Sequence, residues 1–220
     1  ILLSVVGSAL FGCQNNSSVD SASTEKQASS IEQSSAMSLS SVEQMPVFPY
    51  GAVYFRKSNP PREDWEKDYK TAAELGVNLF RHWFMWAVIE VAPGKYDWSD
   101  YDRQMDLAAR NGIKTIIAEI SNSAPEWMGE QYPAGHVVSV NNSVSYPVIG
   151  GSSATSSVDM CLDNEDVLRA AEKFQTALIE RYREHPSTLG YDLWNEMGMG
   201  ECYCEATQEK FREWLKKKYG

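Results

Sequence analysis

The chain has 220 residues, of which 43% are hydrophobic and 11% aromatic, enough for one core of ordinary domain size. Its formal net charge is −10 and its isoelectric point is near 4.8. Because binding to a nucleic-acid backbone needs a basic surface, we expect no nucleic-acid partner.

The chain opens on a short apolar run, ILLSVVGSALFG, which is followed directly by Cys13. The run is too short to cross a bilayer but matches the hydrophobic part of a signal peptide. A cysteine at this place resembles the lipobox of bacterial lipoproteins, in which the cysteine is lipidated. We therefore interpret residues 1–13 as a truncated signal peptide of lipoprotein type, with Cys13 anchoring the protein in the bacterial cell envelope, at the periplasm or outer membrane. The alternative is an ordinary secretory signal with an incidental cysteine.

Residues 14–46 are dominated by Ser, Gln, Asn, Glu and Ala. Such a segment buries too little apolar surface to offset the entropy of ordering it, so we predict a disordered, Ser-rich tether. The composition changes at Val47, and residues 47–220 are predicted to fold.

Four strand and helix units follow one another in the folded region. The predicted strands are short apolar runs, namely GAVYF at 51–55, VNLFRHWF at 77–84, IKTIIAEI at 113–120 and LGYDLW at 189–194. The predicted helices lie in PREDWEKDYKTAAELG at 61–76, SDYDRQMDLAARNG at 99–112, NEDVLRAAEKFQTALIERYREHP at 164–186 and EATQEKFREWLKKKYG at 205–220. Pro61 suits the first helix's start, and Gly76 and Gly112 suit helix ends in the left-handed conformation.

This alternation predicts an α/β fold with a parallel sheet, either doubly wound or closed into a (β/α)8 barrel. No strand is followed by G-x-G-x-x-G or by G-x-x-x-x-G-K, which disfavours a nucleotide-binding sheet. Four units are half of a barrel. We therefore predict the first half of a (β/α)8 TIM barrel, truncated after the fourth β/α unit, in a sequence cut at both ends.

In such a barrel the active site lies at the carboxyl ends of the strands. Aromatic, amide and charged residues gather there, at 55–57, 81–86, 119–122 and 194–196. Aromatic faces beside polar groups suit sugar rings, and Asn195 next to Glu196 combines a hydroxyl-binding amide with a carboxyl group. Glycoside hydrolysis uses two such carboxyl groups.

The folded region resembles the catalytic barrel of glycoside hydrolase family 42 β-galactosidases from about residue 50 to 220. The resemblance lies in the order and spacing of GVN…R…W…IE…G.YDW, APEW, NE and FR.WL…YG. It implies retaining hydrolysis of terminal β-galactosides or galacto-oligosaccharides, with Glu196 as the general acid/base and Asn195 holding a substrate hydroxyl. Its nucleophile would lie on a seventh strand, beyond Gly220. Further candidates for substrate binding are Arg81, Trp83, Trp86 and Trp127.

Two differences from the family pattern keep other functions open. The stretch SSVDMC lacks the Arg that the family usually has before the position of Cys161, and Trp83 stands where an acidic residue is usual. The alternatives are another clan A glycosidase with a different sugar preference, and a non-catalytic glycan-binding surface lipoprotein. In each case we expect an oligosaccharide partner and a membrane contact through the lipid anchor, and a homo-oligomer is compatible with both.

The hydrolytic reaction requires no cofactor, but some family members hold a structural zinc ion through four cysteines. Cys161, Cys202 and Cys204 match three of these positions, and Thr207 stands at the fourth. The resemblance therefore predicts an incomplete zinc site whose fourth ligand is water or a carboxylate. The alternatives are a site without metal, or a disulfide from Cys161 to Cys202 or Cys204.

Overall fold

The computed structural model describes residues 48–55, 59–118, 123–144, 160–193 and 201–220. The predictions for residues 1–13 and 14–46, for Cys13, and for Asn195 and Glu196 therefore lie outside the described residues. The described helices and strands lie in Pro49–Gly220, which forms one unit. No helix of the described residues has both the length and the apolar character that crossing a bilayer requires.

A four-stranded parallel sheet forms the centre of this unit. Its strands are β1 (Gly51–Val53), β2 (Leu79–Trp83), β5 (Lys114–Ala118) and β6 (Thr188–Asp192), in that spatial order. The order in space repeats the order in the chain, whereas a doubly wound sheet reverses direction at a switch point. Of the two predicted arrangements, the structure has the one that a barrel requires.

The four predicted helices are present. They are α1 (Trp65–Glu74), α3 (Ser99–Arg110), α5 (Glu165–Tyr182) and α6 (Glu205–Tyr219). Gly76 and Gly112 have φ angles of 83° and 70°, which confirms the predicted left-handed ends, because glycine adopts this conformation without steric cost. Helix α1 begins at Trp65 and not at Pro61, because residues 62–64 form a turn before the first helical residue.

Several short elements were not predicted. Between β2 and α3 lie α2 (Trp86–Ile89) and an antiparallel hairpin of β3 (Glu90–Ala92) and β4 (Lys95–Tyr96). Helix α4 (Glu126–Gln131) and a 3₁₀ turn (Pro133–Gly135) follow β5. All of them lie in connections that leave the carboxyl ends of strands, so they contribute to the face where a barrel enzyme binds its substrate.

The helices bury one face of the sheet, and its other face is partly open. Phe80 and His82 of β2 and Thr115 and Ile117 of β5 are at most 5% exposed. The residues that alternate with them, such as Arg81 and Trp83, are only partly buried. Successive side chains of a strand point to opposite faces. The open face is therefore the one that would line a barrel.

His82 lies deep in the covered face among aromatic rings. The backbone N–H of Phe55 donates to its Nδ1 at 3.2 Å, and its Nε2 is 2.9 Å from the hydroxyl of Tyr69. Since Nδ1 accepts a hydrogen bond, the ring proton belongs on Nε2. Burial lowers the pKa of His82 to about 3, so the side chain is a neutral packing residue.

Gly51 brings β1 close to β2. A β-carbon at residue 51 would lie 1.6 Å from the backbone carbonyl oxygen of Leu79. The neighbouring group is backbone of the paired strand, so no rotamer change could relieve the overlap. Only glycine allows β1 to pair in this position.

The fourth strand differs from its prediction as a buried strand that runs to Asn195 and Glu196. Strand β6 ends at Asp192, and its residues are half-buried or exposed, with Leu189 at 43%. The reason is its place in the sheet. Among the described strands β6 pairs with β5 alone, so one edge and one face of it are not covered.

Candidate active site

An ion pair connects the carboxyl ends of β2 and β6. The Nε and one terminal nitrogen of Arg81 donate to the same carboxylate oxygen of Asp192, at 2.9 and 2.6 Å. The two side chains meet because Trp83, Ala118 and Asp192 are in register across three strands, which places Arg81 and Asp192 on the open face. Both are partly shielded from water, at 19% and 30% exposure, so the charge-assisted bonds hold Arg81 in one orientation.

Trp83 lies beside this pair at the last position of β2. The guanidinium carbon of Arg81 is 5.9 Å from the centre of the Trp83 ring, within the range of a cation–π contact. The two predicted binding residues of this strand are therefore neighbours. An indole face beside a fixed guanidinium group offers both an apolar surface and hydrogen-bond donors to a sugar.

Asp192 was not among the residues predicted from the sequence. It is the only charged residue of the run LGYDLW, and a single carboxylate in an otherwise apolar strand is a signal, since such a group needs a partner. The partner is separated from it by 111 residues and follows only from the strand register. Asn195 and Glu196 come shortly after Asp192 in the chain, outside the described residues.

Trp86 does not fit the predicted role in substrate binding. Its side chain is fully buried and stacks on Phe174 of α5 with ring centres 5.5 Å apart. Its Nε1 donates to the carboxylate of Glu90 at 2.5 Å. Without exposed ring surface it cannot touch a sugar, and it serves to pack α2 onto α5.

Trp127 is partly buried in the connection after β5. Its Nε1 donates to the backbone oxygen of Glu90 at 3.0 Å, which joins α4 to the hairpin. The ring borders a cavity of about 230 Å³ that is also lined by Tyr132, Arg169 and Lys173. Arg81, Trp83 and Asp192 are not part of this lining, so the structure divides the predicted aromatic residues between two places.

The three predicted metal ligands lie together. The sulfur atoms of Cys161, Cys202 and Cys204 are all within 4.8 Å of one another, and the three residues are free cysteines. The hydroxyl of Thr207 is 3.1 Å from the sulfur of Cys161 and 3.5 Å from that of Cys204. The cluster therefore consists of three cysteine sulfur atoms and one threonine hydroxyl oxygen.

The donor set does not fit a closed structural zinc site. Tetrahedral zinc with Zn–S bonds of about 2.3 Å takes four protein ligands, normally thiolates or imidazoles. Among the described residues only the three cysteines offer such ligands here, and the fourth corner is a hydroxyl, a much weaker ligand. Zinc, if bound, would be held by three thiolates and an open position.

The surroundings shift the pKa values of two of the cysteine thiols in opposite directions. Burial raises the pKa of the Cys161 thiol above its ordinary value. Burial acts in the same direction on Cys202. Hydrogen bonds from the backbone N–H groups of Val138 and Cys204, together with those of the Cys204 and Thr207 side chains, outweigh it, so the pKa of Cys202 is lowered.

Comparison with known proteins identifies the family. Residues 54–220 match the family model of glycoside hydrolase family 42, which is described as β-galactosidase. The match covers well over half of the chain. This chain belongs to glycoside hydrolase family 42.

Relatives and solved structures agree with this assignment. The chain is 32% identical over 179 residues to β-galactosidase LacZ of Heyndrickxia coagulans, which covers 79% of this chain and 25% of that protein. A catalytic mutant of Gan42B, a family 42 β-galactosidase from G. stearothermophilus, superposes with a TM-score of 0.66 at 28% identity, covering 80% of this chain and 25% of the other. The cold-adapted β-galactosidase from Rahnella sp. R3 gives a TM-score of 0.67 at 26% identity over the same shares.

These matches confirm the predicted fold class. The four β/α units belong to a family 42 barrel, with the strands in barrel order. The chain spans about a quarter of the length of the relatives it matches.

Proposed function

We propose that the complete protein is a β-galactosidase-like retaining glycoside hydrolase that cleaves terminal β-galactosides or galacto-oligosaccharides, with Glu196 as its general acid/base. The family match over residues 54–220, which includes Asn195 and Glu196, is the observation that supports this most directly. The ion pair of Arg81 and Asp192 adds to it, because it lies at the end of the strand that leads to Glu196.

The proposed reaction has two steps with one carboxyl group serving in both. Glu196 first protonates the oxygen of the departing sugar or alcohol while a second carboxylate attacks the anomeric carbon. The ionised Glu196 then takes a proton from water, which releases galactose from the covalent intermediate. The family resemblance implies that the second carboxylate lies on the seventh strand of the barrel.

Four side chains would bind and orient the substrate. Arg81 is fixed by Asp192, and its guanidinium group is a cationic donor suited to sugar hydroxyls. Trp83 presents an indole beside it, and Asn195 is proposed to hold the hydroxyl next to the cleaved bond. Trp127 is expected to contact a more distant part of an oligosaccharide, because it borders a different cavity.

The test is the variant Glu196→Ala in the complete protein. Hydrolysis of alkyl galactosides should fall by about 10²–10⁴-fold, because the leaving alcohol needs a proton. Aryl galactosides with acidic phenols should lose less, since they depart without protonation. Azide should restore part of the second step, because it attacks the intermediate without a general base.

Glu201→Ala provides the matched control. Glu201 is an exposed carboxylate nearby in the same connection, where it accepts a hydrogen bond from Tyr203, and its loss should leave both substrates and the azide response unchanged. Equal loss for alkyl and aryl substrates in Glu196→Ala, without azide rescue, would show that Glu196 is not the acid/base. A wild-type protein that binds oligosaccharides but cleaves none would favour the glycan-binding lipoprotein.

We further propose that the protein is anchored in the bacterial cell envelope through a lipid on Cys13. The apolar run before Cys13 and the Ser-rich stretch behind it support this placement. The stretch of 14–46 would then hold the hydrolase at a distance from the membrane. Substrates would be oligosaccharides that reach the envelope.

A further inference from the structure

We propose that Cys161 and Cys204 form a thiol–disulfide exchange site that becomes a disulfide when the protein meets a disulfide oxidant. Their sulfur atoms are 3.5 Å apart, and a disulfide bond is about 2.05 Å long. A shift of about 1.5 Å, shared between two side chains, therefore closes the bond. The proposal concerns the cysteine cluster alone and does not depend on glycosidase activity.

Cys161 pairs with Cys204 and not with Cys202, because backbone hydrogen bonds hold the Cys202 sulfur in place. This sulfur accepts hydrogen bonds from the backbone N–H groups of Val138 and Cys204, both at 3.5 Å. A bond between Cys202 and Cys204 would close a very small ring across one residue, with strained geometry. Cys161 and Cys204 are 43 residues apart in the chain, so a disulfide between them does not close such a small ring.

Thr207 is the residue that favours a disulfide over a metal. Its hydroxyl touches the sulfurs of both Cys161 and Cys204, in the corner where a fourth thiolate would complete a zinc site. A hydroxyl does not replace a thiolate as a ligand, so zinc gains less binding energy here than in a closed site. It can donate a weak hydrogen bond to sulfur in either redox state.

The disulfide would fasten two segments that already contact the same loop. The backbone N–H of Cys161 donates to the oxygen of Gly135 at 2.7 Å, and that of Tyr203 donates to the oxygen of Val138 at 2.7 Å. A bond from Cys161 to Cys204 would convert these contacts into a covalent clamp. The clamp would link the connection after β5 to the connection after β6, and the loop it closes contains Asn195 and Glu196 in sequence.

A small-molecule disulfide such as oxidised glutathione can serve as the oxidant in this exchange. One cysteine thiolate attacks a glutathione sulfur, forms a mixed disulfide and releases the first glutathione thiol. The second thiolate attacks the protein sulfur of that mixed disulfide and releases the second glutathione thiol. Two electrons pass from the two cysteines to one oxidised glutathione, which yields one protein disulfide and two reduced glutathione molecules.

The experiment equilibrates the complete protein in glutathione buffers of increasing oxidised fraction, alkylates the remaining thiols, and maps the peptides by mass spectrometry. We expect a linked peptide pair of Cys161 and Cys204, with Cys202 alkylated, and a higher Tm in the oxidised sample. A dominant link from Cys202 to either partner, or three alkylated cysteines in the most oxidising buffer, would overturn the proposal. If the disulfide forms and Tm does not change, the disulfide does not stabilise the two connections as proposed.

Two variants separate the disulfide from a metal. In wild type, a slight excess of zinc should leave the link in place, whereas in Thr207→Cys zinc should block it, because four thiolates close the site. Thr176→Cys, which adds a thiol at an exposed position of α5, should behave like wild type. Stoichiometric zinc that protects all three wild-type cysteines would show that the cluster is a metal site and not an exchange site.

Discussion

At the scale of single residues, the pair of Arg81 and Asp192 carries the most information about the site. Two donors on one arginine meet one carboxylate oxygen, across a strand that lies between them. An arginine held in this manner loses little further side-chain entropy when it contacts a substrate. Lysine at position 81 would not reproduce this, because its ammonium group has no planar fork.

Replacement of Asp192 by Asn tests this arrangement. Asn keeps one acceptor but loses the charge, so we expect the free energy of unfolding to fall by about 1 kcal/mol. If Arg81 binds substrate, KM for galactosides should rise more than kcat falls, because the arginine loses its fixed orientation. Chemical denaturation and steady-state kinetics of the complete protein measure the two effects.

The surface pair of Lys70 and Glu74 supplies the control. Lys70→Gln should change neither stability nor KM appreciably, because exposed pairs contribute little. Wild-type KM and stability in Asp192→Asn would mean that the ion pair has no role in orienting Arg81.

His82 makes stability depend on pH in a defined window. Its pKa is about 3 in the folded protein, against an ordinary histidine pKa of 6.5. Between these values the unfolded chain binds a proton that the folded chain excludes, so the free energy of unfolding decreases as pH falls below 6.5. The decrease is at most about 1.4 kcal/mol per pH unit, and above pH 6.5 this residue contributes no pH dependence.

The variant His82→Gln removes the titration and keeps a polar side chain for Tyr69. It should be less stable than wild type at neutral pH, since the packing is disturbed, and the difference should shrink as the pH falls towards about 4. Tm values of both proteins over this range give the comparison. Parallel Tm curves would show that His82 is accessible to protons in the folded state.

At the scale of secondary-structure elements, helix α5 depends on its first turn. The side chain of Asn164 accepts hydrogen bonds from the N–H groups of Asp166 and Val167 at 3.0 and 3.2 Å. These donors have no partners within the helix. Helix α5 supplies Phe174, which is fully buried and stacks on Trp86, so loss of the cap weakens the packing around the unpredicted helix α2.

Asn164→Ala should lower the free energy of unfolding by about 1 kcal/mol, the usual effect of removing such a cap. Glu172→Ala, at an exposed position within the same helix, should be close to neutral. Denaturation of the two variants beside wild type is the measurement, and equal stabilities would indicate that water replaces the cap without cost.

The sequence predicted the large elements and not the small ones, for a physical reason. Helices such as α3 and α5 have 12 and 18 residues, long enough for a helical hydrophobic period to stand out. Helix α2 has four residues and β4 has two, so each spans only about one period of its hydrophobic pattern. Their conformation depends on contacts outside the regular pattern, such as the hydrogen bond from the backbone N–H of Gly94 to the carboxylate of Glu90.

Some residues of the site could likewise be predicted from the sequence, and others required the structure. Arg81 and Trp83 followed from their place at a strand end, because parallel strands gather these ends together. Burial of Trp86 could not be predicted, since an aromatic residue at such an end suits either a core or a sugar. Asp192 as the partner of Arg81 required the register of three strands. The cysteine positions came from the family resemblance, and the contact of Thr207 with two sulfurs needed coordinates.

At the scale of the whole molecule, the proposed anchor would determine where the proposed hydrolase acts. If Cys13 carries lipid, the complete protein expressed in a bacterium with its own leader should fractionate with membranes. Cys13→Ala should be released as soluble protein or keep its leader, because lipid attachment requires the thiol. Cell fractionation with detection by immunoblot gives the result.

Cys202→Ala serves as the control, because it removes a cysteine of the folded region and should leave the membrane fraction unchanged. Soluble wild-type and Cys13→Ala proteins with equally processed leaders would contradict lipidation and favour an ordinary secretory signal.

The close approach of β1 to β2 at Gly51 has a consequence for sequence variation. A side chain at this position collides with backbone of the neighbouring strand, and compensating substitutions elsewhere cannot move a backbone carbonyl without shifting the whole strand. In a saturation library selected for folded protein, residue 51 should therefore tolerate no replacement, whereas its exposed neighbour Ala52 should accept several. Members of the family with the same strand pairing should therefore keep a glycine at this position, because the constraint comes from backbone contact alone.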